Sequence, residues 1–430
     1  MNNPTIAVIG GGAAGLMCAC TAAKNGAKVI LFEKNRSEKQ LASERFFDNA
    51  YLGKKLLITG KGRCNVTNAC TREAFLASVT ANPKFLYAAF RAFPPEKVMR
   101  FFEDAGVPLK TERGNRVFPL SDKSIDILRA FKRVLAETDT AVINRAATNV
   151  EKAEDGDFLV TDETGGSHRV DRVVICTGGV SYPQTGSDGD GYAFAKRFGH
   201  TVTPLLPSLV PLECVRADVC RAMSGLSLKN VRLTVVNTAK KKAVYSEMGE
   251  MLFTHFGISG PLVLSASAHM RDAAPSVYRA DIDLKPALEA SRIDEKLVKL
   301  FEAESKKNLA NVLRNMLPQS MTEPFCAYVG IPADTKTNAV TREKRRALAE
   351  AFKRFSFDIA AFRPIAEAIV TAGGVNVKEI NPSTMQSKLA DGLYFAGEVL
   401  DVDAYTGGFN LQIAFSTAYL AAISASAIGE

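Results

Sequence analysis

The sequence is poor in the residues that build metal cages and disulfide frameworks. Only four histidines occur in 430 residues, and His168, His200, His255 and His269 are scattered. Eight cysteines are present: Cys18, Cys20, Cys64, Cys70, Cys176, Cys214, Cys220 and Cys326. None forms a C-x-x-C pair, which excludes a zinc ribbon and a thioredoxin-type dithiol. No metal is expected. No charged n-region or cleavage site precedes the first apolar run, Ile6 to Ile9. Long hydrophobic runs are also lacking. The most apolar stretch, Leu411 to Ile428, carries Gln412, Ser416, Thr417, Ser424 and Ser426, so it reads as a buried helix and not a membrane span. There is no internal repeat and no low-complexity tract. Neither sign of charge dominates: 54 Lys and Arg against 46 Asp and Glu leave +8. That excess permits an anionic partner, a nucleotide or RNA, without demanding one. Hydrophobic residues at 47% and charged residues at 23% exclude a disordered or collagen-like chain. Reduced thiols and a cytoplasmic location are expected.

What is present begins with one βαβ unit. Thr5 to Ile9 is an apolar run of strand length, Gly10 to Gly15 a glycine-rich turn, and Leu16 to Asn25 an Ala/Cys-rich helix stopped by Gly26. Lys28 to Phe32 is a second strand ending at Glu33. Residues 41 to 135 are mixed, with helical patterns at Phe85 to Phe93 and Pro95 to Ala105. Phe158 to Val160 and Val170 to Val174 read as strands joined by a turn at Thr164-Gly165-Gly166, and Val173 to Gly179 as a strand running into a loop. Pro204, Pro207 and Pro211 mark a boundary. Short β-like runs follow to Leu284, then a Glu/Lys/Leu/Ala-rich helical pattern over 287–354, then strand character at Phe355 to Ile359. The fold expected is α/β. A Rossmann-like domain of the two-dinucleotide-fold type spans 1–203 and 371–430. A β-barrel-like domain, 204–286 and 355–370, is inserted in it, and a small helical domain, 287–354, is inserted in that.

The turn Gly10-Gly11-Gly12-Ala13-Ala14-Gly15 has chemical content. Gly10 allows the tight turn, Gly12 lets backbone approach a pyrophosphate, and Gly15 lets helix and strand pack closely. Free N–H groups at the helix start favour phosphate charge. Glu33, 18 residues after Gly15 and followed by Lys34, stands where a carboxylate accepts ribose hydroxyls. A dinucleotide site is expected. Near the other end, Asp391 to Glu398 is a strand closing on Gly397 and an acid. It resembles the second flavin fingerprint of two-dinucleotide-fold flavoproteins, and Thr177-Gly178-Gly179 resembles their Thr-Gly-Gly turn. No second G-x-G-x-x-G follows mid-chain, so a resident NAD(P)H domain of the glutathione-reductase kind is not expected.

Four longer strings narrow the resemblance: Gly53 to Asn68 (GKKLLITGKGRCNVTN), Phe253 to Pro261 (FTHFGISGP), Thr371 to Val375 (TAGGV), and Gly397 to Asp403 (GEVLDVD) with Gly407 to Gln412 (GGFNLQ). Together they resemble the BaiN/RdsA (YhiN-like) family of FAD-binding oxidoreductases over essentially the whole chain. Two positions depart from its pattern: Lys61 and Ala404 stand where glycine is expected. The resemblance implies non-covalent FAD, with NAD(P)H as a transient donor. It leaves several reactions open: reduction of a bile-acid-type enone, dihydrouridine formation in large-subunit ribosomal RNA, and aminoacetone-type amine oxidation by dioxygen.

The expected flavin contacts are Gly10, Gly12, Ala13, Ala14, Gly15, Glu33, Lys34, Gly62, Arg63, Cys64, Asn65, Thr67, Thr177, Gly178, Gly179, Gly397, Glu398, Asp401, Gly408, Asn410, Leu411 and Gln412. The Gly407-Gly408 turn would aim the last helix's N-terminus at the flavin. Cys64 and His255 are the candidates for proton transfer, each with a plain packing alternative. Gly186 to Gly191 looks like a calcium loop but fails, because Gly199 stands twelfth from Asp188 where glutamate is needed. Gly189 to Lys196 reads instead as a turn opening a helix. The helical insert carries thirteen Lys/Arg and nine Asp/Glu. Arg342, Lys344, Arg345, Arg346, Lys353 and Arg354 cluster at its end, and Lys240-Lys241-Lys242 forms a second basic run. Clustered cations favour phosphate, although no RRM-type aromatic motif accompanies them. An RNA-binding assembly factor with structural FAD is therefore a further alternative to an enzyme.

Overall fold

The computed structural model describes residues 3–35, 52–138, 140–272 and 274–427. Residues 41–51 of the mixed stretch and Ile428 of the last apolar run lie outside them. The chain divides into two compact units, Met1–Pro207 with Ile365–Glu430, and Ser208–Pro364.

The first unit is built on a five-stranded parallel sheet. Its order is Leu393–Phe395, Arg172–Ile175, Thr5–Ile9, Lys28–Phe32, Thr140–Ile143. Ile6, Ala7, Val8 and Ile9 are all buried, as a parallel strand covered on both faces requires. The helix Ala13–Lys24 crosses between the first two strands, and Gly26, in the left-handed region at φ 88°, follows its end. Its small residues let it lie against the C-terminal helix Phe409–Ser426, which is itself buried around most of its circumference. The first strand is flanked by Lys28–Phe32 on one side and Arg172–Ile175 on the other. The chain leaves that point in two directions, which opens a crevice at the carboxyl ends of the strands. Two antiparallel three-stranded sheets complete the unit: one of Ala147–Lys152, Phe158–Asp162 and Ser167–Val170, the other of Thr67–Asn68, Arg116–Pro119 and Leu109–Glu112. The single strand expected over Val170 to Val174 is thus two. Asp171 breaks it by donating its N–H to the Thr5 carbonyl, so that Arg172–Ile175 joins the parallel sheet.

The second unit is a closed six-stranded antiparallel barrel. Its order is Leu212–Cys214, Gly257–Ser259, Lys242–Phe253, Ser227–Asn237, Tyr278–Asp283, Phe355–Phe362. Alternation sends Val231, Leu233 and Val235 inward and leaves Arg232 outside. A register shift between Leu228 and Val231 bends the longest hairpin, the way a sheet turns a corner toward closure. The helices Ala290–Ala303, Leu309–Leu313, Gln319–Val329 and Arg342–Lys353 bury Leu297, Phe325, Leu348 and Phe352 in the same core. The architecture is the α/β fold with barrel and helical elements that the sequence implies.

Candidate active site

The carboxyl ends of the parallel strands open into a cleft of about 1300 Å³, counting its solvent-open part. Gly10, Gly12, Ala13, Ala14, Glu33, Lys34, Thr177, Gly178, Glu398, Asn410 and Leu411 line it. The local reasons differ residue by residue. Gly10 sits at φ 103°, and a Cβ there would stand 2.7 Å from the Cys176 carbonyl oxygen. At Gly15 a Cβ would stand 1.7 Å from the Gly10 carbonyl oxygen. These two glycines close the turn and seat the helix. Gly12 is different. A Cβ there would meet nothing within 4 Å, so its bareness serves no contact inside the protein.

Glu33 is buried and spoken for. Its carboxylate accepts the Gly11 N–H at 2.9 Å and, from Asn35, both the backbone N–H and the side-chain amide at 2.7 Å. Burial pushes its pKa up, and these donors oppose the shift. Lys34 turns to Asp188 and Asp190, the latter at 2.6 Å; Gly189, between them, opens the helix Asp190–Arg197 as expected.

Three distant strings converge on the other side of the cleft. The Thr371 hydroxyl accepts the Val180 and Ser181 N–H groups at 2.9 and 3.1 Å. A Cβ on Gly179 would stand 2.3 Å from that hydroxyl and 3.0 Å from a Glu398 oxygen. Gly397 packs its α-carbon side on Ala14, where a Cβ would approach to 2.7 Å. The Thr-Gly-Gly turn, the TAGGV string and the Gly-Glu fingerprint are therefore one packed assembly resting on the first helix. Glu398 also binds Lys55, which the sequence did not single out as a contact; Asn35, Arg145 and Ser181 escaped notice in the same way, and Thr371 entered only as part of the TAGGV string.

Two helices begin at this cleft, at Gly12 and Gly408. Neither has a side-chain cap, and neither carries an acid in its first turn. Both N-terminal dipole ends are thus left for an outside anion. Thr177 Oγ1 and Asn65 Oδ1 are buried without a hydrogen-bond partner among the described residues. Such atoms are costly unless a ligand completes them. Bare backbone at Gly12, two uncapped helix starts and an orphaned hydroxyl in the lining together fit a dinucleotide with its diphosphate.

Several expected contacts do not line the cleft; they support its wall. After the helical turns from Lys54, the chain kinks at Thr59, and Gly60 and Lys61 take left-handed angles. Gly62 and Cys64 do likewise, at φ 83° and 58°. Arg63 stacks over Phe118 at 4.0 Å and pairs with Glu112 and Asp122, the latter at 2.6 Å. Its charge is spent on those acids. Cys64 is fully buried, and burial pushes its thiol up to about 12. Thr67 Oγ1 hydrogen-bonds Gln412 Oε1, while Gln412 donates to the Phe93 carbonyl at 2.8 Å. Asn410, which does line the cleft, also ties down the loop before its helix through the Ala404 N–H and carbonyl, at 3.0 and 2.8 Å. Asp401 donates its N–H to the Val375 carbonyl. His255 belongs to the other unit; it is exposed between two barrel strands, its ring edge-on to Phe256 at 5.0 Å. Among the described residues no group of three His, Cys, Asp or Glu side chains could hold a metal, and no helix is long and apolar enough to cross a membrane.

The basic insert is only partly free. Arg345 is held by Asp294 through two bonds of 2.8 and 3.1 Å, and Lys353 by Asp283 at 2.6 Å. Arg354 stands 4.0 Å from Asp281. Lys240 pairs with Asp272 at 2.9 Å. Arg342, Lys344 and Arg346 are exposed and make no ion pair among the described residues.

Residues 4–424 match the family model described as the HI0933-like protein Rossmann domain. The chain belongs to this family. The match, spanning both units, joins the site's geometry to the resemblance seen in the sequence: the protein is an FAD-dependent oxidoreductase. It is 29% identical over 428 residues to a 3-dehydro-bile acid delta(4,6)-reductase of Clostridium scindens, covering 98% of each chain. It is 29% identical to a ribosomal RNA dihydrouridine synthase of Haemophilus influenzae (97% of this chain, 98% of the relative), and 27% identical to one of Escherichia coli (96% of each).

Proposed function

We propose that this flavoprotein is an NAD(P)H-driven reductase of an activated C=C bond, and that its substrate is uridine in large-subunit ribosomal RNA. The relatives' names, a reductase and two dihydrouridine synthases, agree on two hydrogens added across a double bond. Their identities to this chain, 29, 29 and 27%, do not choose between steroid and RNA. The observation that favours RNA is that Arg342, Lys344 and Arg346 are exposed together and make no ion pair among the described residues, since a phosphate backbone is held by accessible cations.

When bound, FAD would supply the two-electron chemistry that carries hydride from NAD(P)H to C6 of uridine, the carbon β to its C4 carbonyl, leaving C5 to take the proton. The protein does the rest. Gly10 to Ala14 and Glu33 would hold one half of the dinucleotide, and Thr177 to Gly179 and the start of the last helix the other. That helix start favours negative charge gathered near it during reduction. The second hydrogen arrives as a proton. Cys64 is not placed to supply it: the thiol is fully buried, stands outside the cleft lining and is pushed up to about 12 by burial, so it packs the wall.

The test is anaerobic. NADPH or NADH is added to the yellow holoenzyme, the visible flavin band is followed, and a uridine-bearing ribosomal RNA fragment is then supplied. Bleaching followed by RNA-dependent reoxidation is expected. Cys64→Ala should bleach and reoxidise within about 3-fold of the wild type, as a packing residue outside the cleft lining would. Bleaching by an amine and not by either nicotinamide would make an oxidase of it. Reoxidation by a steroid enone and not by RNA would transfer the proposal to that substrate. Salt-sensitive RNA binding with no reoxidation would leave an RNA-binding protein with structural flavin.

A further inference from the structure

The cleft receives an anion, yet one of its walls presents a carboxylate. Glu398 lines the same cleft as Gly10 to Ala14. Its Oε1 accepts the Ser181 hydroxyl and the Thr371 N–H, both at 2.9 Å. These bonds orient the acid but leave its charge. The charge is met by Lys55, whose ammonium lies 2.8 and 3.1 Å from the two carboxylate oxygens and donates to Ser181 Oγ at 2.7 Å. Both side chains are about four-fifths buried, at 22 and 21% exposure. Partial burial lowers the screening that would otherwise make such a pair negligible.

The other cations of the lining are arranged differently. Lys34 is taken by Asp188 and Asp190, and Arg145 by Asp162 at 3.1 Å, while Lys54 is exposed and makes no ion pair among the described residues. None of the three is in ion-pair distance of Glu398. Among the described residues Lys55 is the one cation in ion-pair distance of this acid. If that charge is removed, a lone carboxylate faces a ligand with a doubly negative diphosphate, in a space where their repulsion is poorly screened.

We infer that Lys55 is a positioning residue for the cofactor: by pairing with Glu398 it masks the wall's negative charge and lets the cleft accept a dinucleotide diphosphate. This assigns to Lys55 a job carried out through Glu398 and not by reaching the cofactor itself. The two residues lie 343 positions apart, so the pair also ties the amino-terminal helix at Lys54 to the carboxyl-terminal fingerprint.

The experiment uses holoenzyme. Rates of FAD release are read by the fluorescence gained on dilution, for the wild type and for Lys55→Met, Lys55→Arg, Glu398→Gln and the double variant Lys55→Met/Glu398→Gln, at rising NaCl. Lys55→Met is expected to release FAD about 10-fold faster or more, and salt should slow that release by screening the repulsion. Lys55→Arg should stay within about 3-fold of the wild type. The double variant should regain most of the loss, because the charge that needed masking is gone. Circular dichroism of each variant reports folding separately. Release from Lys55→Met at the wild-type rate would overturn the inference. So would a double variant as leaky as Lys55→Met, since that would mean that Lys55 holds the anion directly, or a Lys55→Met release that salt does not slow, since there would then be no repulsion to screen. FAD reduction and RNA turnover are not read, so the result stands apart from the choice of substrate.

Discussion

The first helix and the last begin in the same way to the eye and for opposite physical reasons. Each starts at a glycine, lacks a side-chain cap and lines the cleft with its first turn. At Gly12 the backbone is ordinary, with φ −78°, and nothing stands where a Cβ would go. At Gly408 φ is 99°, and a Cβ would lie 2.3 Å from the Thr67 carbonyl oxygen and 3.0 Å from Asn65 Oδ1. The chain needs Gly408 in order to pack its last helix start against the strand Thr67–Asn68. It has no such need of Gly12. A glycine the protein does not require for itself is a glycine kept bare for something else, and that distinction separates ligand-facing positions from architectural ones better than the motif alone does.

The comparison predicts a division of phenotypes. Gly408→Ala should be the most damaging, because it combines a left-handed angle with a backbone collision; a loss of about 3 kcal/mol or more is expected, read as a fall in Tm. Its FAD content should drop only as a consequence. Gly12→Ala should do the reverse. Replacing glycine by alanine at a helix start costs no more than about 1 kcal/mol, so Tm should hold nearly steady while FAD affinity falls about 10-fold or more, the added methyl standing where a diphosphate meets backbone. A Gly12→Ala protein that melts early yet keeps its flavin would erase the distinction.

Which of these features the sequence displays follows from how far apart their causes lie. Thr5 to Glu33 was legible because every cause is local: an apolar run, a turn that needs glycine, small residues for a helix to pack, an acid at the strand's end. The barrel was legible only as a texture of short strands. What pairs Leu212–Cys214 with Phe355–Phe362 across a helical insert is the closure of a sheet, and no neighbouring residue announces it. Lys55 lay inside a string that resembled the family, but its partner stands 343 residues away. Arg345 and Arg346 are adjacent and equally basic in sequence. Only the structure shows that Asp294 has claimed the first and left the second exposed. Arg63 looked like a cation near the flavin for the same reason, until Glu112 and Asp122 came into reach.

Lys61 carries the comparison to a position where the protein departs from its family's pattern. Glycine was expected there, and the angle explains why: Lys61 lies at φ 61°, between Gly60 at 57° and Gly62 at 83°. A left-handed angle costs a side chain about 1 kcal/mol or more relative to glycine. The unfolded chain returns part of that difference, because glycine loses more freedom on folding. Lys61→Gly should therefore raise stability by about 0.5 kcal/mol, a small rise in Tm. The lysine's side chain is exposed and absent from the cleft lining, so FAD release should stay at the wild-type rate. A lysine that strains its backbone without serving the cofactor is the converse of Gly12. If Lys61→Gly instead loosened the flavin, the strained turn would have a ligand-facing purpose, and the line between the two kinds of position would have to be redrawn through the segment from Thr59 to Asn65.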